Sequence, residues 1–91
     1  MYKVIFSKSS KTFLKRNPGY KTKTIEISKK FIRLISGEKE KLDVKKMKGK
    51  WEGFYRVRSG RTRILLSIDI DEKVLYIDRI GFRGDVFKDR E

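Results

Sequence analysis

The sequence predicts an α+β fold: an N-terminal strand and an antiparallel helix pair packed on a twisted antiparallel sheet of about four strands, followed by a short C-terminal segment. Three observations predict it. Apolar residues recur every three or four positions between residues 20 and 36, as on the buried face of a helix. Apolar and polar residues alternate in three runs between residues 54 and 80, as in half-buried strands. Asn17-Pro18-Gly19 interrupts the helical pattern, because proline disfavours a helical residue before it.

The first third of the chain carries the N-terminal strand and the first helix. Tyr2–Phe6 is a β-rich run, and Ser7 is a suitable N-cap for a helix over Lys8–Arg16. The buried face of that helix is expected to centre on Phe13 and Leu14.

A second, longer helix is expected from about Tyr20 to Ser36. Gly37 stands where a helix C-cap glycine belongs. The apolar stripe of this helix consists of Ile25, Ser28, Ile32 and Ile35, widened by Ile27, Phe31 and Leu34.

The second half of the chain supplies the sheet. The expected strands are Phe54–Arg58, Thr62–Asp69 and Val74–Ile80, with Leu42–Gly49 as a possible further extended segment. Ser59-Gly60 suits a tight hairpin turn between the first two strands. Asp69, Asp71 and Glu72 are interpreted as part of an ordinary turn between the last two strands, rather than as a metal-binding loop.

Four arginines lie within ten residues, Phe54 to Arg63 (FYRVRSGRTR). Strand alternation turns Tyr55 and Val57 towards a core and leaves Arg56 and Arg58 on the other face. Arg63 opens the next strand just beyond the turn. Guanidinium groups that share a sheet face can bind phosphates bidentately, so this open face is the predicted binding surface.

The chain is strongly basic, with 25 Lys and Arg against 12 Asp and Glu and a net charge of +13. Residues 1–34 hold ten basic residues and one acidic residue, whereas residues 64–91 hold five and seven. Concentrated positive charge in a small domain indicates a polyanionic partner, either a nucleic acid or an acidic protein. A chain of 91 residues is expected to form a single domain, residues 1–91.

The chain contains neither cysteine nor histidine. Disulfides and thiolate chemistry are excluded, and the usual zinc ligands and the usual neutral-pH acid–base residue are missing, so no cofactor is expected. No stretch approaches the roughly 18 apolar residues of a membrane span, and the N-terminal apolar run is too short for a signal peptide. The expectation is a cytoplasmic protein without membrane contact.

Several segments, in their order along the chain, resemble the RelE/ParE toxin superfamily. They are Lys46-Met47-Lys48-Gly49, Tyr55-Arg56-Val57-Arg58, Gly60 with Thr62-Arg63, and Arg79-Ile80-Gly81-Phe82-Arg83-Gly84-Asp85-Val86-Phe87. The resemblance covers nearly the whole chain and implies a RelE-like fold, similar to that of small microbial RNases. It also implies the toxin half of a type II toxin–antitoxin module, held in a hetero-oligomer by an acidic, RelB-like antitoxin.

Two activities occur in that superfamily. The RelE branch cuts messenger RNA in the ribosomal A site, where ribosomal RNA surrounds the toxin, and the ParE branch inhibits DNA gyrase. The chain has basic residues at most of the positions that are functional in the RelE branch, and this favours the RelE branch over the ParE branch. A ParE-like gyrase inhibitor without nuclease chemistry, or a catalytically degenerate member that binds only RNA or antitoxin, remains the alternative.

The resemblance also implies site residues. The catalytic set is Arg56, Arg58, Arg63 and Arg83, and the RNA-binding set is Lys46, Lys48, Lys50, Arg61 and Phe87. Arginine stays protonated in proteins and is therefore a poor general base. The base is left open among Lys46, Lys48, Lys50, Glu52 and Asp85.

Two aromatic residues stand where relatives carry groups that can transfer a proton. Phe87 corresponds approximately to a C-terminal tyrosine, and Phe82 to a histidine; neither phenyl ring can donate or accept a proton. Phe87 retains the ability to stack on a base. Trp51 is interpreted as a packing residue rather than a stacking platform.

Overall fold

The computed structural model describes residues 1–82, so Arg83, Asp85 and Phe87 lie outside the described residues. The elements are β1 (Lys3–Phe6), α1 (Lys8–Arg16), α2 (Tyr20–Ile35), β2 (Asp43–Lys46), a 3₁₀ turn (Gly49–Trp51), β3 (Tyr55–Ser59), β4 (Thr62–Asp69) and β5 (Val74–Phe82). The α+β class and the order of elements are as expected. None of the helices in residues 1–82 is long and apolar enough to cross a membrane.

The sheet has five strands in the order β1-β5-β4-β3-β2 and is mixed rather than antiparallel. β1 runs parallel to β5, while the other neighbouring pairs are antiparallel. The expected sheet had about four strands, all antiparallel. The difference arises because alternation within a strand carries no information about its partner or direction. The two helices between β1 and the later strands provide the long connection that parallel pairing needs.

The main core lies between α2 and the helix-facing side of the sheet. Val57, Ile64 and Leu66 are fully buried there, together with Phe31 of α2. The Phe31 ring lies 5.3 Å from the ring of Tyr55, centroid to centroid. Both helices contribute, since Phe13 and Leu14 of α1 also pack against this core, as expected.

The buried face of α2 is centred on other residues than expected, as if the helix were rotated about its axis. The buried residues are Thr24, Ile27, Ser28 and Phe31, whereas Ile25 is only half-buried. The hydroxyls of Thr24 and Ser28 each donate to a carbonyl four residues earlier, both at 2.8 Å, so these polar side chains can be buried.

The end of α2 is a Schellman motif, which confirms Gly37 as the terminating glycine. Gly37 has φ +97°, a left-handed conformation that favours glycine. Its N–H donates to the Leu34 carbonyl at 3.1 Å, and the Glu38 N–H donates to the Arg33 carbonyl at 3.0 Å. Beyond it, Arg33 Nε donates to Glu40 at 2.7 Å, and this hydrogen bond raises the pKa of the Arg33 guanidinium.

The pairing of β4 with β5 contains a register shift. Leu65 lies opposite Arg79 and Leu66 opposite Ile77, which leaves Asp78 as an extra residue in β5. Because of this bulge, the residues of β5 beyond Asp78 change face. Arg79 turns away from the helices, whereas strict alternation from Ile77 would have turned it towards them.

The start of α1 binds the carbonyls of this bulge. Ser7 caps α1, as expected, by accepting from the Ser10 N–H at 3.1 Å, and its hydroxyl also donates to the Asp78 carbonyl. The buried Ser10 hydroxyl donates to the Ile77 carbonyl at 3.0 Å. These two serines connect the start of α1 to the bulge in β5.

The β3–β4 hairpin turns at Gly60-Arg61, one residue later than the expected Ser59-Gly60. Ser59 pairs with Thr62, and Gly60 has φ +60° at the first turn position, the pattern of a type II′ turn. Arg61 then lies over the ring of Phe82, 4.8 Å from its centroid.

Phe82 belongs to an aromatic cluster beneath the helices. Its ring lies 5.3 Å from those of Phe13 and Tyr20, with edge-to-face geometry in both pairs. Such contacts stabilise beyond the buried area alone. A phenyl ring therefore joins β5 to both helices.

We expect Ser10→Ala to lower the free energy of unfolding by about 1 kcal/mol, because the hydrogen bond from the buried Ser10 hydroxyl to the Ile77 carbonyl is lost, while that carbonyl keeps the Ser7 N–H at 2.9 Å. Ser9→Ala is the matched control, since Ser9 is exposed on the same helix, and we expect a change within about 0.5 kcal/mol. Urea denaturation followed by circular dichroism measures both. Equal stability of the two variants would contradict the role assigned to Ser10.

Gly37→Ala is expected to destabilise the protein by about 1 kcal/mol, because alanine is strained at φ +97° even though the space around it is open. Gly19→Ala provides the contrast. Gly19 has φ −65° and open surroundings, so alanine should leave the protein unchanged or up to about 0.5 kcal/mol more stable. Thermal melts of the two variants should therefore shift in different directions or by clearly different amounts.

Candidate nucleic-acid interface

The sheet face opposite the helices carries two rows of side chains that cross the strands from β2 to β5. The first row is Lys45, Arg56, Leu65 and Arg79, and the second is Asp43, Arg58, Arg63 and Gly81. Neighbouring strands lie about 4.8 Å apart, so adjacent members of a row are within side-chain contact. We call this surface, with its four arginines and one lysine, the arginine face.

A single carboxylate joins two of these arginines. Arg56 Nη2 lies 3.1 Å from Asp43 Oδ1, and Arg58 Nη2 lies 2.8 Å from Asp43 Oδ2. The Arg58 and Asp43 side chains are 46% and 42% exposed, whereas Arg56 is 19% exposed. Exposed pairs of this kind contribute about 0.2 to 1 kcal/mol each, so they orient the guanidinium groups without locking them.

Arg63 lies directly opposite Arg58 on one side and Gly81 on the other. Like charges placed opposite each other in a sheet are unfavourable by themselves. Arg63 is half-buried and makes no ion pair with another residue among those described, 1–82. The second row therefore concentrates positive charge, and an anion bound there would relieve the repulsion.

Beside the arginines the same face has an apolar floor. Leu65 is fully buried and Trp51 is 7% exposed, and Met47 and Phe54 pack against them. The Trp51 and Phe54 rings meet edge to face at 5.4 Å. Trp51 is thus a packing residue, in agreement with the interpretation of the sequence.

Arg79 lies at the edge of this floor. Its guanidinium carbon is 5.7 Å from the Trp51 ring centroid, and its Nε is 3.7 Å from an Asp78 carboxylate oxygen. A cation over an indole is attracted by the ring quadrupole. This arginine is consequently held on the arginine face from two sides.

The residues expected to form the site divide between the two faces of the sheet. Arg56, Arg58 and Arg63 come together on the arginine face. Lys46 lies opposite Tyr55 and so belongs to the helix-facing side, and Arg61 is also on that side because it covers Phe82.

The remaining expected residues are less closely grouped. Lys48 and Lys50 are exposed around the 3₁₀ turn that carries Trp51, and Glu52 is exposed just after it. Arg83, Asp85 and Phe87 lie outside the described residues. Asp69 accepts a hydrogen bond from the Glu72 N–H at 3.0 Å, the geometry of an ordinary turn.

Sequence reasoning missed three members of the arginine face: Lys45, Asp43 and Arg79. The first two could have been found from Val44, because an inward-facing valine in β2 turns both of its neighbours outward. No comparable signal exists for Arg79, whose direction depends on the bulge at Asp78.

The arginine face can bind and neutralise phosphate groups at several points. Arginine cannot give up its proton in a protein, so proton transfer needs another residue. Lys45 is the titratable cation of the two rows, and it lies next to Arg56. Within residues 1–82, this places one candidate for proton transfer beside the phosphate-binding arginines.

No family model and no curated protein sequence matches the chain. Solved structures do match. The RelB-RelE antitoxin–toxin complex from Methanococcus jannaschii has a chain 26% identical, with a TM-score of 0.66, and the match covers 96% of this chain and 99% of that one. The RelBE2 toxin–antitoxin complex from Mycobacterium tuberculosis matches at 20% identity and a TM-score of 0.68, covering 90% and 98%.

A metal-bound toxin from Helicobacter pylori is similar too, at 18% identity and a TM-score of 0.71, with 96% of this chain and 100% of that chain covered. In each case the match spans almost the full length of both chains, so the likeness concerns the whole fold. Together with the order of the elements, these likenesses confirm the resemblance found in the sequence. The chain has the fold of these RelE-type toxins, in agreement with the resemblance of its sequence to the RelE/ParE superfamily.

Proposed function

We propose that this chain is the toxin of a type II toxin–antitoxin pair and that it cleaves messenger RNA on the ribosome. Two things support the proposal: the fold is similar to that of toxins solved in complex with RelB-type antitoxins, and the charge is +13. The observation that carries it is the grouping of Arg56, Arg58 and Arg63 on one open sheet face.

The chemistry proposed for this face is cleavage through attack by the RNA 2′-hydroxyl. The 2′-oxygen bonds to phosphorus while the bond from phosphorus to the 5′-oxygen breaks, and the leaving 5′-oxygen takes up a proton. Negative charge builds on the phosphate during this step, and preorganised donors stabilise it. Arg63 and Arg58, opposite each other on neighbouring strands, are suited to this role. Arg56 would hold the adjoining backbone, and Arg83, from outside the described residues, is proposed as a further phosphate ligand.

Proton transfer is assigned to Lys45. A 2′-hydroxyl has to lose a proton, and lysine, unlike arginine, is a side chain that can serve as a general base. Lys45 is exposed and lies opposite Arg56 in the sheet, whereas Lys46 belongs to the other face. Lys48, Lys50 and Glu52 are further from the two rows in sequence and remain the alternatives.

A binding toxin without nuclease chemistry is the second candidate. It is favoured by one feature of the arginine face: four of the five cations that the described residues place there are arginines, which cannot transfer a proton. The target would then be DNA gyrase, as in the ParE branch, or RNA bound without cleavage. A supercoiling assay with purified gyrase separates this candidate from the nuclease.

The proposed partner is an acidic antitoxin. Complexes of the similar toxins contain antitoxins, and a chain with 25 basic residues offers complementary charge to an acidic segment. Co-expression with the neighbouring gene should yield a soluble complex and suppress toxicity.

Arg63→Ala is expected to reduce cleavage of translated messenger RNA by about 100- to 1,000-fold, since it removes a donor to the developing phosphate charge. Primer extension on messenger RNA from a translating extract measures the cuts, which should fall within codons. Arg16→Ala is the matched control, because Arg16 is an exposed arginine of α1 away from this face, and it should cut normally. Growth arrest with uncut message would refute the nuclease and leave the binding toxin.

Lys45→Arg preserves the charge of the arginine face and removes a group that can titrate. We expect cleavage to fall by about 100-fold or more while RNA binding changes little. Lys46→Arg is the adjacent control on the opposite face and should leave cleavage unchanged. Equal activity of the two variants would move the proton-transfer role to another residue.

A further inference from the structure

One carboxylate binds two guanidinium groups of the arginine face. The two oxygens of Asp43 are bound separately, one by Arg56 at 3.1 Å and the other by Arg58 at 2.8 Å. A phosphodiester also presents two charged oxygens to guanidinium donors. The Asp43 carboxylate and an RNA phosphate would therefore compete for the same two Nη2 groups.

We infer that Asp43 is a built-in competitor for RNA, a positioning residue that holds Arg56 and Arg58 side by side while the site is empty and is displaced by the RNA backbone. The identity of the ligand as RNA rests on the proposed function. The competition itself rests on the two contacts.

The burial of the three side chains suits a reversible contact. Asp43 and Arg58 are each more than two-fifths exposed, so water can replace either partner of that pair. Arg56 is the more buried arginine, and its Nε is buried without a hydrogen-bond acceptor among residues 1–82. Asp43 therefore binds the Nη2 group of Arg56 and leaves its Nε–H unused.

The backbone keeps the competitor close after it is displaced. Asp43 pairs with Arg58 across the β2–β3 ladder, so only its side chain has to rotate when a phosphate arrives. Asp43 lies on β2 and contacts Arg56 and Arg58 of β3. An RNA chain bound to these two arginines would also reach Arg63, on β4 at the other side of β3. The additional contact lets a polyanion displace a single carboxylate.

A purely structural role predicts something different. If Asp43 only tied the edge strand β2 to β3, its loss would lower stability and leave RNA affinity unchanged apart from the general effect of charge. The competitor predicts tighter binding once the carboxylate is removed.

The test compares Asp43→Asn with Asp71→Asn, which changes the net charge equally. Asp71 is exposed in the β4–β5 turn, about 20 Å along β4 from Arg63 at roughly 3.3 Å per residue, beyond the Debye length at physiological salt. The probe is a 2′-O-methyl oligouridylate, which cannot be cleaved through its 2′ position. Binding is measured by fluorescence anisotropy at several salt concentrations, with the full chain.

We expect Asp43→Asn to bind the oligonucleotide about three- to tenfold more tightly than the unchanged chain, from the loss of two exposed ion pairs. Asp71→Asn should change affinity less than about twofold because its charge is screened. Asp43→Glu, which keeps a carboxylate within reach, should stay close to the unchanged chain. The slope of log K against log salt should stay close to that of the unchanged chain, because the same phosphates are neutralised in the complex once the carboxylate is displaced.

Equal shifts in Asp43→Asn and Asp71→Asn, or no tightening in Asp43→Asn, would overturn the inference. Asp43→Ser serves as a second variant if asparagine disturbs folding, and circular dichroism checks both. Absence of binding in every variant also overturns it. Cleavage of translated message is assayed separately, so a chain that binds more tightly without Asp43 yet cuts nothing refutes the nuclease and supports the competitor.

Discussion

A one-residue bulge in β5 decides what this strand contributes to each face of the sheet. Asp78 is the extra residue, and the β5 side chains after it, up to Phe82, change face: Arg79 joins the arginine face, and Phe82 joins the aromatic cluster under the helices. The hydroxyls of Ser7 and Ser10 donate to the Asp78 and Ile77 carbonyls at the bulge, and the Ser7 N–H also donates to the Ile77 carbonyl at 2.9 Å. The start of α1 thereby determines which residues of β5 face the solvent.

That face combines features that do not favour stability by themselves. Arg58 and Arg63 lie directly opposite each other, and like charges in such a pair repel. Asp43 offsets part of the repulsion, from an exposed position where its contribution is small. An apolar floor around Trp51 and Leu65 keeps the surrounding backbone in place. A rigid sheet with excess positive charge is suited to a polyanionic ligand.

Binding a phosphate and moving a proton are separate tasks, and the side chains of the arginine face are better suited to the first than to the second. Its arginines supply charge and donors at fixed spacing, but guanidinium groups do not titrate in proteins. Lys45 is the lysine of the two rows, and it differs from its neighbour Lys46 in the face of the sheet that it occupies. Because neighbouring residues of a strand point to opposite faces, Lys45 lies on the arginine face and Lys46 on the side of the helices.

The sequence by itself determined the local structure. Alternation predicted β4, the Ser7 cap and Gly37 set the limits of the helices, and the FYRVRSGRTR run placed Arg56, Arg58 and Arg63 on one face. These features depend on residues close together in the chain. The parallel pairing of β1 with β5, the bulge at Asp78 and the contact of Asp43 with two arginines were decided only by the tertiary structure. Each joins segments distant in sequence, and periodicity within one segment carries no information about the register of its partner.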